Sequence, residues 1–203
     1  MAKEILGVLC SGRGTNLQSI LAAVESGQIP APVGVVLTDV PDAKALERAE
    51  KAGIPNSCVN RKTYADKRAF EEALVEKLRA HGVTLVILAG FMRILSPYFV
   101  RSFPGRILNI HPSLLPSFGG AHAHRDVLAY GVKVSGCTIH FVDEGMDSGP
   151  IILQTAVPVL DGDDEDTLAA QVLEQEHKLY PRAIELFLNG KLKIEGRKVR
   201  ILE

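Results

Sequence analysis

The stretch ILGVLCSGRGTNLQSILAAV, residues 5–24, decides the fold of this chain. Its first part, Ile5–Cys10, is a nearly continuous apolar run of the kind found in strands buried on both faces of a parallel sheet. Its last part places four apolar residues at helical spacing: Leu17, Ile20, Leu21 and Val24. The pattern therefore predicts a strand, a tight glycine-containing turn and a helix, which together open an α/β sheet.

Apolar runs and helical patterns continue to alternate over the first half of the chain. Further strands are predicted at Val33–Thr38, Leu85–Ala89 and Ile107–Ile110. Helices are predicted at Ala45–Ala52 and, after an N-cap at Asp66, over the residues that precede Gly82. This alternation predicts a doubly wound, mainly parallel α/β sheet with right-handed crossovers.

The second half has a different pattern. Strands are predicted at Cys137–Val142 and Ile151–Val157, followed by a long helix at Asp163–Leu188 and an edge hairpin at Lys191–Ile201. We therefore expect an antiparallel C-terminal addition to the sheet. No repeat or linker divides the chain, so we expect one domain over residues 1–203, with a phosphate-binding βα half at 1–110. The rest, 111–203, would carry the catalytic loop, the later strands and the C-terminal helix.

The composition narrows the functional class. Of the 203 residues 46% are hydrophobic, the net charge is −1 and Trp is absent. Without a basic surface or aromatic stacking residues we expect neither nucleic acid nor a membrane as partner. The three cysteines are odd in number and widely spaced, which argues against disulfides and a zinc site and favours the cytoplasm.

The turn after the first strand has the features of a phosphate site. Gly12 and Gly14 let the backbone bend sharply and approach a ligand, and the helix start offers N–H groups to an anion. The loop lacks the lysine of a P-loop and the third glycine of a dinucleotide fingerprint, which favours a small phosphate. An ordinary strand–helix turn remains the alternative.

The densest chemistry lies in Arg106–Pro116, sequence RILNIHPSLLP. Because strand side chains alternate, Asn109 and His111 should project to one side while Ile110 packs away. An amide donor and an imidazole at the end of a strand can bind a developing oxyanion and manage a proton. The alternative is a polar strand end that its own loop caps.

Two later segments bear on this pair. Asp147 lies in the glycine-rich turn 145–149, where a carboxylate near His111 would favour the charged imidazolium. His122 and His124 follow a flexible segment at 118–120 and could form a metal site with His111 and Asp147. We favour acyl chemistry and expect no metal.

Glu176 continues an apolar helical stripe that Leu168 and Val172 begin. A carboxylate on an inward face needs a partner, such as the hydroxyls of a ribose. The alternative is a rim residue whose carboxylate extends into solvent.

Taken together, these segments resemble the phosphoribosylglycinamide formyltransferase family. The matching stretches are Ser11–Gln18 (SGRGTNLQ), Leu88–Pro97 (LAGFMRILSP), Asn109–Pro116 (NIHPSLLP) and Gly145–Gln154 (GMDSGPIILQ), with Gln175-Glu176-His177 towards the end. The resemblance covers nearly the whole chain in order. It implies a Rossmann-like formyltransferase fold, and formyl transfer from 10-formyltetrahydrofolate to glycinamide ribonucleotide in purine biosynthesis.

The resemblance also implies roles for individual residues. Asn109, His111 and Asp147 would be catalytic. The ribonucleotide would bind at Gly12, Arg13, Gly14, Thr15, Asn16 and, through its ribose, Glu176. The formyl folate would bind beside Met92, Arg93, Ile94, Leu95, Asn109, Val142, Asp143 and Glu144. Without the family, residues 91–95 could equally be ordinary core.

The loop after Pro116 departs from the family, since Gly119-Gly120 stands where many relatives have Pro-Gly. We expect a looser substrate-covering segment there. The chain would act as a monomer or homodimer. Two rival interpretations are an initiator-tRNA formyltransferase and a formyl-folate hydrolase, and we do not expect the extra domain of either one here. A third is a non-catalytic nucleotide-binding module.

Overall fold

A computed structural model of the chain describes residues 3–202. The chain divides into two compact units, Met1–Leu108 and Asn109–Glu203. Within the described residues no helix is both long enough and apolar enough to cross a membrane.

The first unit is built on four parallel strands. These are β1 (Leu6–Cys10), β2 (Val33–Thr38), β3 (Asn56–Cys58) and β4 (Leu85–Leu88), in the order β3-β2-β1-β4. The helices are α1 (Thr15–Glu25), α2 (Lys44–Lys51), α3 (Lys67–Ala80) and α4 (Pro97–Ser102), with a 3₁₀ turn at Arg61–Thr63. All residues of β1 and β4 are buried, as expected for central parallel strands.

Close packing of α3 on β1 depends on Gly7. A Cβ atom at this position would lie 2.5 Å from Leu78 and 2.8 Å from Val83, so a side chain would separate the helix from the strand. The helix begins where predicted, because the Asp66 carboxylate accepts a hydrogen bond from the Ala69 N–H at 2.8 Å.

The second unit is mainly antiparallel. After β5 (Ile107–His111) come α5 (Ala123–Tyr130), β6 (Val134–Phe141), β7 (Ile151–Pro158), α6 (Glu165–Leu188), β8 (Leu192–Glu195) and β9 (Lys198–Ile201). The pairs β6–β7 and β8–β9 are antiparallel, and β7 meets β9 in a parallel contact at Ile151 and Lys198. The hydrophobic core of the second unit includes Val127, Cys137, Val157, Leu168 and Val172.

The predicted fold class is confirmed, with parallel strands first and antiparallel strands towards the C-terminus. Some boundaries differ. β6 begins at Val134 rather than Cys137, and Val142 lies beyond its end. α6 begins at Glu165 rather than Asp163, because a capping box formed by Asp164 and Thr167 defines the start of the helix.

Four elements were not predicted: β3, the 3₁₀ turn at Arg61–Thr63, α4 and α5. β3 is only Asn-Ser-Cys, so it has no apolar alternation, and pairing with β2 makes it a strand. In α5, which follows the 118–120 segment, His122 is the N-cap and His124 lies in the first turn.

Candidate active site

Asn109 is half-buried near the end of β5 and is oriented by His140 of β6. Nδ2 of Asn109 lies 3.1 Å from Nε2 of His140, whose Nδ1 lies 2.8 Å from the carbonyl oxygen of Phe141. Because a carbonyl only accepts, Nδ1 of His140 carries the proton and Nε2 accepts from the Asn109 amide. Burial lowers the pKa of His140, which favours this neutral form. The amide keeps a second N–H for another partner.

His111 is only 5% exposed and lies between two hydrogen-bond acceptors. Its Nε2 is 3.0 Å from the carbonyl oxygen of Phe118, and its Nδ1 is 3.5 Å from Oδ2 of Asp147. A neutral imidazole has one N–H and satisfies one of these acceptors, whereas the imidazolium satisfies both. Each ring nitrogen of His111 therefore faces an oxygen that can only accept a hydrogen bond.

Both residues that contact His111 have a backbone in an uncommon conformation. Among residues 3–202, the non-glycine residues with positive φ are Phe118, at 53°, and Asp147, at 50°. Such conformations are uncommon for residues with a Cβ atom, and strained backbone is found most often at functional sites. Phe118 is held further by an edge-on contact with the ring of Tyr130, with 5.8 Å between centroids. The Leu115–Pro116 peptide in the same segment is cis.

The loop that carries Asp147 is shaped by its own side chains. Oδ1 of Asp143 accepts from the Gly145 N–H at 3.1 Å and from the Ser148 hydroxyl at 2.6 Å. A Cβ atom on Gly149 would lie 1.8 Å from the carbonyl oxygen of Phe141, so this position requires glycine. The Gly120 N–H donates to Oδ2 of Asp147 at 2.9 Å, which links this loop to the 118–120 segment.

His122 and His124 do not form a metal site with His111 and Asp147. Within residues 3–202 no group of three or more His, Cys, Asp or Glu side chains is arranged to hold a metal ion. Burial lowers the pKa of His124, as does the charge of His111 to a smaller extent, while Glu165 opposes the shift. His124 therefore lies close enough to His111 to interact electrostatically with it.

Glu176 is only 7% exposed on α6, so the alternative of a solvent-directed rim residue is wrong. Its charge helps burial to raise the pKa of Cys137 to about 12, and burial alone raises the pKa of Cys10 to about 12. Both thiols are therefore protonated near neutral pH, and neither is a nucleophile.

The glycine loop of the first unit is held by α2. The Gly12 carbonyl accepts from the Ala45 N–H at 3.2 Å, and the Arg13 carbonyl accepts from Nε of Arg48 at 2.9 Å. Gly14 has φ of 69°, and a Cβ atom there would lie 2.9 Å from Ala45. No acidic residue occupies the first turn of α1. The loop therefore presents the start of a helix, with its N–H groups and no acidic side chain in the first turn.

The 91–95 loop after β4 exposes two large apolar side chains. Met92 is 68% exposed and Ile94 is 65% exposed, whereas Phe91 and Leu95 are buried. Interpreting the loop as ordinary core is therefore wrong for Met92 and Ile94. These two side chains form an exposed apolar surface.

Comparison with known proteins identifies the family. A model described as formyl transferase matches residues 5–184. The chain is 44% identical to the phosphoribosylglycinamide formyltransferase of Escherichia coli over 187 residues, which cover 92% of this chain and 88% of that protein. The chain belongs to the phosphoribosylglycinamide formyltransferases.

Two further comparisons support this family assignment. A crystal structure of glycinamide ribonucleotide transformylase 1 from Symbiobacterium toebii matches with a TM-score of 0.97 and 53% identity, covering 99% of this chain and 95% of that one. The trifunctional purine biosynthetic protein adenosine-3 of Bos taurus is 46% identical over 199 residues, covering 98% of this chain. The chain spans about a fifth or less of the length of the trifunctional relatives it matches.

Two residues that contact Asn109 and His111 were not predicted from the sequence: His140 and Phe118. A histidine inside the apolar run of β6 is a signal that could have found the first, since a buried imidazole needs a partner. Phe118 acts through its carbonyl group, and nothing in a side chain marks such a contact.

Proposed function

We propose that this formyltransferase moves the formyl group of 10-formyltetrahydrofolate to the amine of N1-(5-phosphoribosyl)glycinamide. The products are the formylglycinamide ribonucleotide and tetrahydrofolate, in de novo purine biosynthesis. The observation that carries the proposal is the placement of His111 between the Phe118 carbonyl and Asp147, beside an Asn109 amide fixed by His140. This arrangement suits stabilisation of an oxyanion during acyl transfer.

The mechanism begins with attack of the free amine on the formyl carbon. The carbonyl π electrons move to oxygen and give a tetrahedral oxyanion, which the Asn109 amide and the His111 imidazolium stabilise. Asp147, acting through water, takes the proton that the amine loses and returns it to the departing folate nitrogen as the carbon–nitrogen bond breaks.

The ribonucleotide is assigned to residues that suit a phosphate and a ribose. The backbone N–H groups of residues 12–16 would hold the phosphate, since they surround the start of α1. Glu176, a buried carboxylate, would accept hydrogen bonds from ribose hydroxyls.

The formyl folate is assigned to the 91–95 loop and to residues 142–144. Exposed Met92 and Ile94 would pack against the pterin, and Asp143 holds the turn that follows β6 in place. We further propose that residues 1–203 function as one formyltransferase domain in the cytoplasm, as a monomer or homodimer, with no nucleic-acid partner.

Calorimetric titration tests the acceptor and the donor in turn. The wild-type chain should bind glycinamide ribonucleotide and then a folate analogue. Asp147→Asn should bind the ribonucleotide as tightly as wild type and yet lose most turnover, because Asp147 moves a proton and does not hold the phosphate. Absence of ribonucleotide binding in the folded wild-type chain would refute the proposed acceptor, and unchanged turnover in Asp147→Asn would remove Asp147 from catalysis.

A further inference from the structure

The first unit contains a buried carboxylate that contacts both of its ligand loops. The side chain of Asp39, just after β2, is 1% exposed. Its Oδ1 accepts from the Ser11 hydroxyl at 2.6 Å, and its Oδ2 accepts from Nε of Arg93 at 2.5 Å. Ser11 begins the glycine loop, and Arg93 lies in the 91–95 loop. One side chain thus joins the two.

The Ser11 hydroxyl strengthens this link because it both donates and accepts. It gives its hydrogen to Asp39 and accepts from the Met92 N–H at 2.8 Å. The Ser11 N–H donates in turn to the Gly90 carbonyl at 2.9 Å. The direction of every hydrogen bond is therefore fixed, and neither loop can shift without breaking a bond to the other.

The network requires a carboxylate at position 39. Both oxygens of Asp39 act as acceptors, one for a hydroxyl and one for a guanidinium. An asparagine offers one acceptor oxygen and an NH₂ group, so it would place a donor against Ser11 or Arg93. It would also leave the Arg93 guanidinium without its buried counter-charge.

The far end of the 91–95 loop is fixed independently. The buried Glu71 carboxylate of α3 accepts hydrogen bonds from the N–H of Ser96, at 2.8 Å, and from its hydroxyl. The loop is therefore anchored after Leu95, and the Asp39 network sets the position of its other end, where Met92 and Arg93 lie.

We propose that Asp39 is a positioning residue that sets the ribonucleotide-binding loop and the folate-binding loop together. This inference rests on the proposed function, because it takes residues 12–16 and 91–95 as the two ligand loops. It predicts that one substitution, away from Asn109, His111 and Asp147, weakens binding of both substrates.

The same unit contains a network of matching composition that serves as a control. The Thr84 hydroxyl donates to the Glu4 carboxylate, and Nη1 of Arg106 donates to both Glu4 oxygens at 3.0 and 3.1 Å. This network lies at the amino ends of β1 and β4, whereas ligands of parallel α/β sheets bind at the carboxyl ends. Glu4→Gln therefore breaks the same types of bond away from both loops.

The experiment measures steady-state formyl transfer and thermal unfolding for wild type, Asp39→Asn and Glu4→Gln. Asp39→Asn should raise KM for both substrates at least about fivefold, as expected for loss of charged hydrogen bonds, with kcat within about twofold of wild type. Glu4→Gln should lower the melting temperature and leave both KM values unchanged. Unchanged KM values in Asp39→Asn, a rise for only one substrate, or an equal rise in Glu4→Gln would overturn the inference.

Ser11→Ala provides a second variant should Asp39→Asn fail to fold. It removes the shared hydroxyl and leaves the Asp39–Arg93 pair, so both KM values should again rise, and unchanged values would refute the inference. A wild-type chain without formyl transfer would refute the proposed function instead. Calorimetric Kd values for inorganic phosphate and a folate analogue, each weakened in the same variants, would then decide whether Asp39 positions both loops.

Discussion

Nδ1 of His111 lies 3.5 Å from Oδ2 of Asp147, while Nε2 of the same ring lies 3.0 Å from the carbonyl oxygen of Phe118. Both neighbours are acceptors, so a ring that is protonated on both nitrogens donates to both. An imidazolium so held can exchange its contact with an acceptor for a contact with a developing oxyanion.

Removal of either oxyanion donor should reduce turnover without unfolding the chain. His111→Ala and Asn109→Ala should each lower kcat by about 10²–10³, the usual cost of losing one oxyanion-hole donor. Steady-state kinetics measure the loss, and circular dichroism confirms that the variants are folded. Near-normal turnover in a correctly folded His111→Ala variant would contradict the assignment of His111 as an oxyanion donor.

Loss of His140 should act through Asn109. His140→Leu removes the acceptor that orients the Asn109 amide, so kcat should fall about tenfold, the rate equivalent of one hydrogen bond, with KM values little changed. His140→Gln keeps an acceptor oxygen and should recover part of the loss. The idea fails if both variants lower kcat equally or if neither does.

Gly14→Ala should weaken ribonucleotide binding as well as lower stability. Gly14 and Gly27 both have positive φ, at 69° and 80°, but only at Gly14 does a Cβ atom meet a neighbour, Ala45, at 2.9 Å. Both alanine variants should lose about 1 kcal/mol of stability from the left-handed backbone. Gly14→Ala alone should also raise the KM for the ribonucleotide about tenfold or more, as expected for misplaced phosphate donors. Equal ribonucleotide KM values for the two variants would contradict the loop assignment.

The free energy of unfolding should decrease as the pH falls from about 7.5 to about 5.5. Burial lowers the pKa of His124, His140 and His177 from 6.5, so these residues remain neutral in the folded chain while the unfolded chain takes up protons near that value. Stability is therefore greatest above the unfolded pKa and falls below it until the folded pKa is reached. The pKa of Glu4 is also lowered, from 4.5, so this residue makes stability fall only as the pH drops towards and below 4.5, outside this window.

Urea unfolding at several pH values measures this dependence. His177→Asn should make the free energy of unfolding depend less steeply on pH, since it removes one of the three histidines that cause the dependence. A free energy that stays constant or rises towards about pH 5.5 would show that other titrating groups dominate.

Much of the fold was predictable because its signals are local. Ile5–Cys10 and the spacing of Leu17 to Val24 indicated β1 and α1, and Asp66 marked the start of α3. The element β3 gave no such signal, because three polar or small residues become a strand only through their partner β2.

The candidate site was predictable in part for the same reason. Strand alternation placed Asn109 and His111 together, since both lie on β5. The contact of His111 with Asp147 depends on a folded loop and on a positive φ that no spacing rule gives. The contact of Phe118 is made by its backbone carbonyl, which no side-chain type marks in the sequence. The contacts of Asp39 join groups far apart in sequence, so they emerge only from the three-dimensional structure.

The most direct test of the account is a formyl-transfer assay with purified wild-type chain, 10-formyltetrahydrofolate and glycinamide ribonucleotide. We predict that tetrahydrofolate forms only when the ribonucleotide is present, with one formylglycinamide ribonucleotide made for each tetrahydrofolate. Tetrahydrofolate formed at the same rate without the ribonucleotide would show a hydrolase, and no product in either case would contradict catalysis by Asn109, His111 and Asp147.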